Sequence, residues 1–323
     1  MKPVFMKYTK ADIVNFVVLL VIGFLIIPNV IQADYWYTSI LIPWLCLTLA
    51  AMGQNIVMGY TGQLSLGAAG FMCAGAYACY NMMLRIQDMP FLGALVLSGL
   101  IAAGLGIIFG LPSLRIRGIY LMVATLASQF FIVWVIDKFG WFKNYDVSGS
   151  TTFQKINING VAFTSGYMMY LLVAVIVMAV RDMDIAAESM GVSLLKTKLQ
   201  AFAINAFLCG IAGALYTYTY LKTVEPFAAF NISLSFKIMF MAIIGGLGTI
   251  SGAFIGAAFI LLFPVVLNAL GNNVFHGMID ATIISSIEQI VFGGLIITLM
   301  IFEPLGFAKL WETLKQKVIR TKS

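Results

Sequence analysis

An all-α, polytopic membrane bundle is the fold class that this 323-residue chain predicts, and three observations predict it. Hydrophobic residues make up 61% of the sequence and charged residues only 10%, where an ordinary globular domain carries about 25% charge. Mean hydropathy is +0.99. The apolar residues gather into runs close to the roughly 20 residues that a helix needs to cross a hydrocarbon core. The whole chain, 1–323, reads as a single transmembrane domain of about 8–10 crossings.

In order, the candidate spans are 13–31, 39–58, 63–84, 91–111, 118–136, 166–180, 199–221, 232–244, 252–270 and 283–302. The first run is too long for the apolar part of a signal peptide and is kept as a span. The third and eighth are irregular. If both are re-entrant, eight crossings remain and the termini keep the same side. Lys and Arg near helix ends set orientation. With the N-terminus inside, thirteen basic residues fall in the cytoplasm, among them Lys2, Arg115, Arg117, Arg181, Lys198 and Lys309. Five fall outside: Arg85, Lys138, Lys143, Lys155 and Lys222. Both termini are therefore expected in the cytoplasm.

The stretch 59–77, GYTGQLSLGAAGFMCAGAY, is too glycine-rich at its start for a regular lipid-facing helix. Irregular backbone at membrane depth survives only against protein or a wet cavity. Its small residues suit close helix packing, while Gln63 and Ser65 are candidates to line a translocation pathway, because interrupted helices build transport sites. An echo follows at 245–258. There Gly248, Thr249, Ile250 and Ser251 match Gly62, Gln63, Leu64 and Ser65 in type, and Gly248, Gly252 and Gly256 form a GxxxG ladder.

Other features have plainer readings. Pro112 to Gly118 is a cytoplasmic turn held by Arg115 and Arg117. The external loop 139–165, rich in Ser, Thr, Gly and Asn, reads as a structured loop or hairpin: a landing surface for an external partner, or a connector. Glu288 and Lys237 lie deep in spans, where a charge is costly and marks a functional or paired site; Glu288 is the third pathway candidate. Pro264 is expected to kink its span. Cys46, Cys73, Cys79 and Cys209 lie in apolar runs without metal-ligand spacing, and His276 stands alone. These counts disfavour a metalloenzyme or a histidine-based hydrolase.

The most polar internal run is RDMDIAAESMGVSLLKTK, residues 181–198. Asp182 or Asp184 can cap a short helix through Ile185, Ala186, Ala187, Glu188, Ser189 and Met190. Gly191 suits its left-handed end, and Ser193 can cap the next helix. Ala186 and Ala187 offer a close approach, and Met190 an adaptable contact. An ordinary connecting loop and a docking stub for another protein both fit.

The segments GYTGQLSLGAAGF, LRIRGIYLMVATLA, RDMDIAAESMGV, KLQAFAINAFLCGIAGALY and GGLGTISGAFIGA occur in that order. Together they resemble the ABC importer permeases of the branched-chain amino acid type, over roughly residues 59–311. Ala186, Ala187 and Gly191 resemble the family's coupling loop, although Ile185 stands at its glutamate position. The resemblance implies a membrane subunit of an ATP-driven importer for branched-chain or other neutral amino acids, in a bacterial cytoplasmic (inner) membrane. It implies two ATPase subunits docked on Asp184, Ile185, Ala186, Ala187, Glu188, Met190 and Gly191. A second permease and an external substrate-binding protein complete the expected assembly, with no nucleic acid. ATP would be bound by the partners, since no GxxxxGK[ST] motif occurs in this chain, and the chain is expected to need no cofactor of its own.

Relatives usually carry a longer basic stretch before the AAE segment. Only 14 apolar residues, 167–180, precede Arg181 here, about 21 Å of helix. Either that helix starts earlier, near Val161, or residues are missing between Val180 and Arg181; the second is expected. The rival functions are a urea or short-amide permease, an ion-coupled secondary transporter using Glu288 or Lys237, and a membrane-embedded enzyme.

Overall fold

The computed structural model describes residues 34–113, 119–146, 150–158, 161–183, 194–274, 290–291 and 293–294. The first described helix, α1, runs Asp34–Thr61. A π-helical turn widens it at Tyr37–Leu41. It ends because Gly62 takes a left-handed φ of 63° and returns its N–H to the Val57 carbonyl, which only glycine does without cost. Residues 62–67 are not helical. Three helices follow: α2, Ala68–Arg85, α3, Phe91–Ser113, and α4, Ile119–Lys138. The loop after α4 then contributes three two-residue strands: β1, Thr151–Thr152, β2, Asn157–Ile158, and β3, Val161–Ala162.

Beyond the loop comes α5, Gly166–Met183. Next is α6, Leu194–Leu215, which a π-helical segment continues through Tyr216–Leu221. Strand β4, Thr223–Val224, and the short helix α7, Pro226–Ala229, lead to α8, Ile232–Gly245. The Asn231 side chain caps α8 by accepting from the Leu234 N–H at 3.0 Å. The last described long helix is α9, Ile250–Val274, with Pro264 inside it.

Helix α6 stands at the centre, with α1, α2 and α3 packed on it. Small residues make this possible. Gly75 of α2 lies against the backbone of Gly210, so even a methyl group there would overlap it. Close backbone approach of this kind is how helices associate where lipid removes the hydrophobic drive. The GxxxG ladder works likewise, with Gly252 on Gly245 and Gly256 on Met241 joining α9 to α8. By contrast α3 and α4 leave large apolar side chains exposed, including Val96, Leu100, Ile108, Val123, Phe131 and Trp134, as a lipid-facing wall does. Among the described residues, five helices are long and apolar enough to cross a membrane. The chain is a multi-pass α-helical membrane protein.

Several expectations need correction. The third span does not begin as helix at Gln63; its helix starts at Ala68, because the Ser65 carbonyl and the Leu66 N–H bond to side chains of neighbouring helices instead of closing a helical turn. The junction expected to lack residues is continuous helix through Val180 and Arg181 to Met183. Arg and Met are good helix formers, and the 18 residues of α5 reach about 27 Å. Asp182 therefore lies inside α5, and Asp184, the other cap candidate, lies outside the described residues. Lys237 lies within α8, as expected, on its exposed side.

The loop after α4 carries short paired strands, as its composition suggests. β2 and β3 form a small hairpin, but β1 pairs with β4, more than 70 residues away. Residues 150–156 and 222–224 thus meet at one end of the bundle.

Candidate functional site

Two adjacent amides on α1 hold both interrupted segments. Gln54 Nε2 donates to the Ser65 carbonyl, and Gln54 Oε1 accepts from Asn205 Nδ2 of α6 at 3.5 Å. Asn55 reaches the other break. Its Oδ1 accepts from the Gly248 N–H at 2.8 Å. Its Nδ2 donates to the carbonyls of Thr249 at 2.7 Å and Gly246 at 3.3 Å. Successive helical side chains point roughly 100° apart, so one helix serves a segment on each flank. The echo between the two breaks extends to the backbone: Gly248 has φ 78° against 63° at Gly62. Gly59, one turn below Asn55, lies directly against the Gly248 backbone.

The start of α2 is bonded from two further helices. The Leu66 N–H donates to Thr125 Oγ1 of α4 at 2.9 Å, and the Ala69 N–H to Ser235 Oγ of α8 at 2.9 Å. Ser235 in turn donates to Gln129 Oε1 at 2.6 Å. These contacts satisfy N–H groups that a helix start leaves without partners, inside a bundle where water cannot do so.

Of the three predicted pathway residues, two belong to this network. Ser65 is fully buried, and its Oγ accepts from the Gly67 N–H at 3.4 Å. Gln63 is buried too; its Oε1 accepts from Thr61 Oγ1 at 3.4 Å. Glu288 and the docking residues Asp184, Ile185, Ala186, Ala187, Glu188, Met190 and Gly191 lie outside the described residues. Sequence reasoning passed over Gln54, Asn55, Gln129, Asn205 and Ser235. The amides carried a readable signal. A buried amide without a partner is costly, so an amide inside an apolar run implies a backbone or side chain that needs it.

The end of the bundle that carries β1 and β4, the one expected to be external, is built differently. Phe153, next after β1, inserts its ring between α2 and the π-helical part of α6. Its centroid lies 5.2 Å from Tyr80, 5.9 Å from Tyr77 and 5.0 Å from Tyr218. The Phe153 N–H donates to the Lys222 carbonyl at 2.8 Å. Tyr77 Oη donates to the Val224 carbonyl at 3.3 Å, with Thr151 Oγ1 at 3.5 Å. The loop is anchored further on. Arg85 stacks 3.8 Å above the Trp141 ring and donates to the Trp141 carbonyl at 2.6 Å. Asn81 Nδ2 donates to the Phe142 carbonyl at 3.0 Å, and Lys143 pairs with Asp137 at 2.8 Å.

Among the described residues no three His, Cys, Asp or Glu side chains gather as a metal site, and the four cysteines are free and buried. The arrangement holds the helices and the two interrupted segments together.

Known proteins with related sequences are transport permeases. The chain is 25% identical over 304 residues to the high-affinity branched-chain amino acid transport system permease protein LivM of Salmonella typhimurium, covering 80% of this chain and 66% of that protein. It is 24% identical to LivM of Escherichia coli K12 over the same shares. It is 20% identical to a probable LivM of Methanocaldococcus jannaschii, covering 81% of this chain and 83% of that one. The chain thus spans about two thirds of the length of the first two. No solved structure matches it. The family pattern for the branched-chain amino acid transport system, permease component, matches residues 37–300, a range that takes in α1 to α9 and both interrupted segments, and to that family this chain belongs.

Proposed function

We propose that this protein is the membrane-spanning permease subunit of an ATP-driven importer of branched-chain or other neutral amino acids. The observation that carries the reading is the family match over residues 37–300. The bundle's two interrupted segments, pinned by Gln54 and Asn55, agree with the habit of transporters to build their path at broken helices. In this reading the protein sits in a bacterial cytoplasmic membrane with both termini inside. A second, homologous permease pairs with it, two ATPase subunits bind beneath, and an external substrate-binding protein delivers cargo. ATP is bound by the ATPase subunits, and this chain contributes no cofactor. The segment 184–191 is the docking point, and Gln63, Ser65 and Glu288 line or border the path. ATP binding moves the docked segment, and the helices change access because the two states differ in their affinity for nucleotide.

Purification of the tagged chain tests the reading. An ATPase pair and a second permease should come with it, and the reconstituted complex should take up leucine, isoleucine or valine only with ATP and the external binding protein. Ala186→Trp should abolish ATPase association while membrane insertion stays normal. Uptake by the chain alone would sink the proposal.

A further inference from the structure

We propose that β1 and Phe153 form an external latch on α6, and that its release is the step by which the external binding protein opens the permease. The proposal rests on the function proposed above. Three observations point to it. The latch is closed by few, separable contacts: the two-residue ladder of β1 on β4, with Thr151 opposite Val224 and Thr152 opposite Thr223, and one ring in an aromatic slot. The outer pair of the ladder, Thr152 and Thr223, is exposed, so opening can begin where water replaces the lost contacts.

The element it grips is poised to change. Residues Tyr216–Leu221 are π-helical, a form found as local bulges and frequently at functional sites. The Lys222 N–H closes the segment onto the Thr217 carbonyl at 2.8 Å. Lys222 then holds φ at 60°, a strained angle for a side-chain-bearing residue, and it is the residue whose carbonyl receives Phe153. Within the slot the buried Tyr218 hydroxyl has no nitrogen or oxygen partner and only the Cys79 thiol beside it, a weak partner. The closed state therefore leaves this group poorly satisfied, and opening can hydrate it.

The gripped helix also leads to the other side. From Leu194 to Leu221, α6 and its π-helical continuation extend about 40 Å. Leu194 follows closely on the segment proposed to dock the ATPase. A shift at Tyr216–Leu221 has a single packed helix, already central to the bundle, to carry it inward. Meanwhile 139–145 stays fixed by Arg85, Asn81 and the Lys143–Asp137 pair, so a protein landing on the loop can lift β1 about an anchored base.

Thr152 and Thr223 give the test. They are opposed across the ladder, both exposed, in a pair that does not share backbone hydrogen bonds, where strand Cα atoms lie close enough for a disulfide. The four native cysteines are buried and do not compete. In the reconstituted complex carrying T152C and T223C, oxidation should cut binding-protein-stimulated ATP hydrolysis and uptake by about tenfold or more, the scale of a moderate coupling. Unstimulated hydrolysis should stay unchanged, and a reductant should restore transport. Phe153→Ala should do the converse and raise hydrolysis without binding protein several-fold, roughly within the same range; Phe153→Tyr should not. Oxidised complex that transports like reduced complex overturns the latch, as does failure of the pair to cross-link. If the reduced complex takes up no substrate with ATP, the proposed function itself fails, and the two failures stay distinct.

Discussion

The two irregular regions of this bundle solve the same problem with different chemistry. In the interior, the breaks at 62–67 and 246–249 are tied by buried side-chain amides and hydroxyls from neighbouring helices. At the external end, the loop is tied by a short strand ladder, stacked rings and one stacked arginine. The difference follows from what would replace each bond. A backbone group freed inside an apolar bundle finds nothing, and each such loss costs several kcal/mol. One freed at the outer ladder pair, Thr152 and Thr223, which is exposed, finds water. The interior breaks are therefore fixed points, and the external strap is separable. An interrupted helix is not mobile merely because it is interrupted.

The largest expected effect lies at the interior point. Asn55→Leu keeps the approximate shape but strands the Gly248 N–H and takes the side-chain donor from the Thr249 carbonyl, while the Gly246 carbonyl keeps Thr249 Oγ1 at 3.0 Å. At about 1–3 kcal/mol for each unsatisfied group, the loss should be on the order of 4 kcal/mol. Thermal unfolding of the purified complex would show it. An unchanged midpoint would mean that the second break reorganises freely, and the contrast with the external end would collapse.

Packing comes next. Gly75→Ala places a methyl group against the Gly210 backbone, where neither helix can yield alone. Overpacking of this kind costs about 1–3 kcal/mol. The same unfolding measurement should show a loss smaller than for Asn55→Leu. A neutral result would mean that α2 and α6 are not in direct backbone contact.

At the external end the effects shrink. Tyr77→Phe deletes the hydroxyl that bonds the Val224 carbonyl, worth about 1 kcal/mol. Its signature is local. Amide hydrogen exchange should quicken at Phe153, whose N–H is bonded to Lys222, and stay unchanged at Ala69 and Gly248. Faster exchange at all three would show that the two regions open together.

The helices were legible because length and hydropathy act residue by residue. Spans 91–111 and 232–244 lie inside α3 and α8 with nearly the same ends. The first break was legible too, since Gly59 to Gly67 carries the residues that a helix stop requires. Other features had no local signal. A π-helical segment differs from an α-helix by one residue per hydrogen-bonded turn, and the composition of YTYTYL does not encode that. Nor does anything near Thr151 announce that its partner is Val224, because a two-residue ladder is chosen by the packing of α2 against α6. Phe153 read as one more aromatic in a polar loop. Only the assembled slot of Tyr77, Tyr80 and Tyr218 explains it.

The smallest expected effect carries the opposite sign. Lys222 stands at φ 60° with ψ −37°, close to a strained γ-turn geometry that glycine tolerates and lysine does not. Lys222→Gly removes that strain, typically about 1–3 kcal/mol, and adds about 0.5–1 kcal/mol of unfolded-chain entropy. The side chain is exposed, so little packing is lost. The net should be a stabilisation of roughly 0.5–1 kcal/mol, seen as a slightly higher unfolding midpoint and slower exchange at Phe153. A lower midpoint would place the strain elsewhere, and the external end would then be as fixed as the interior breaks.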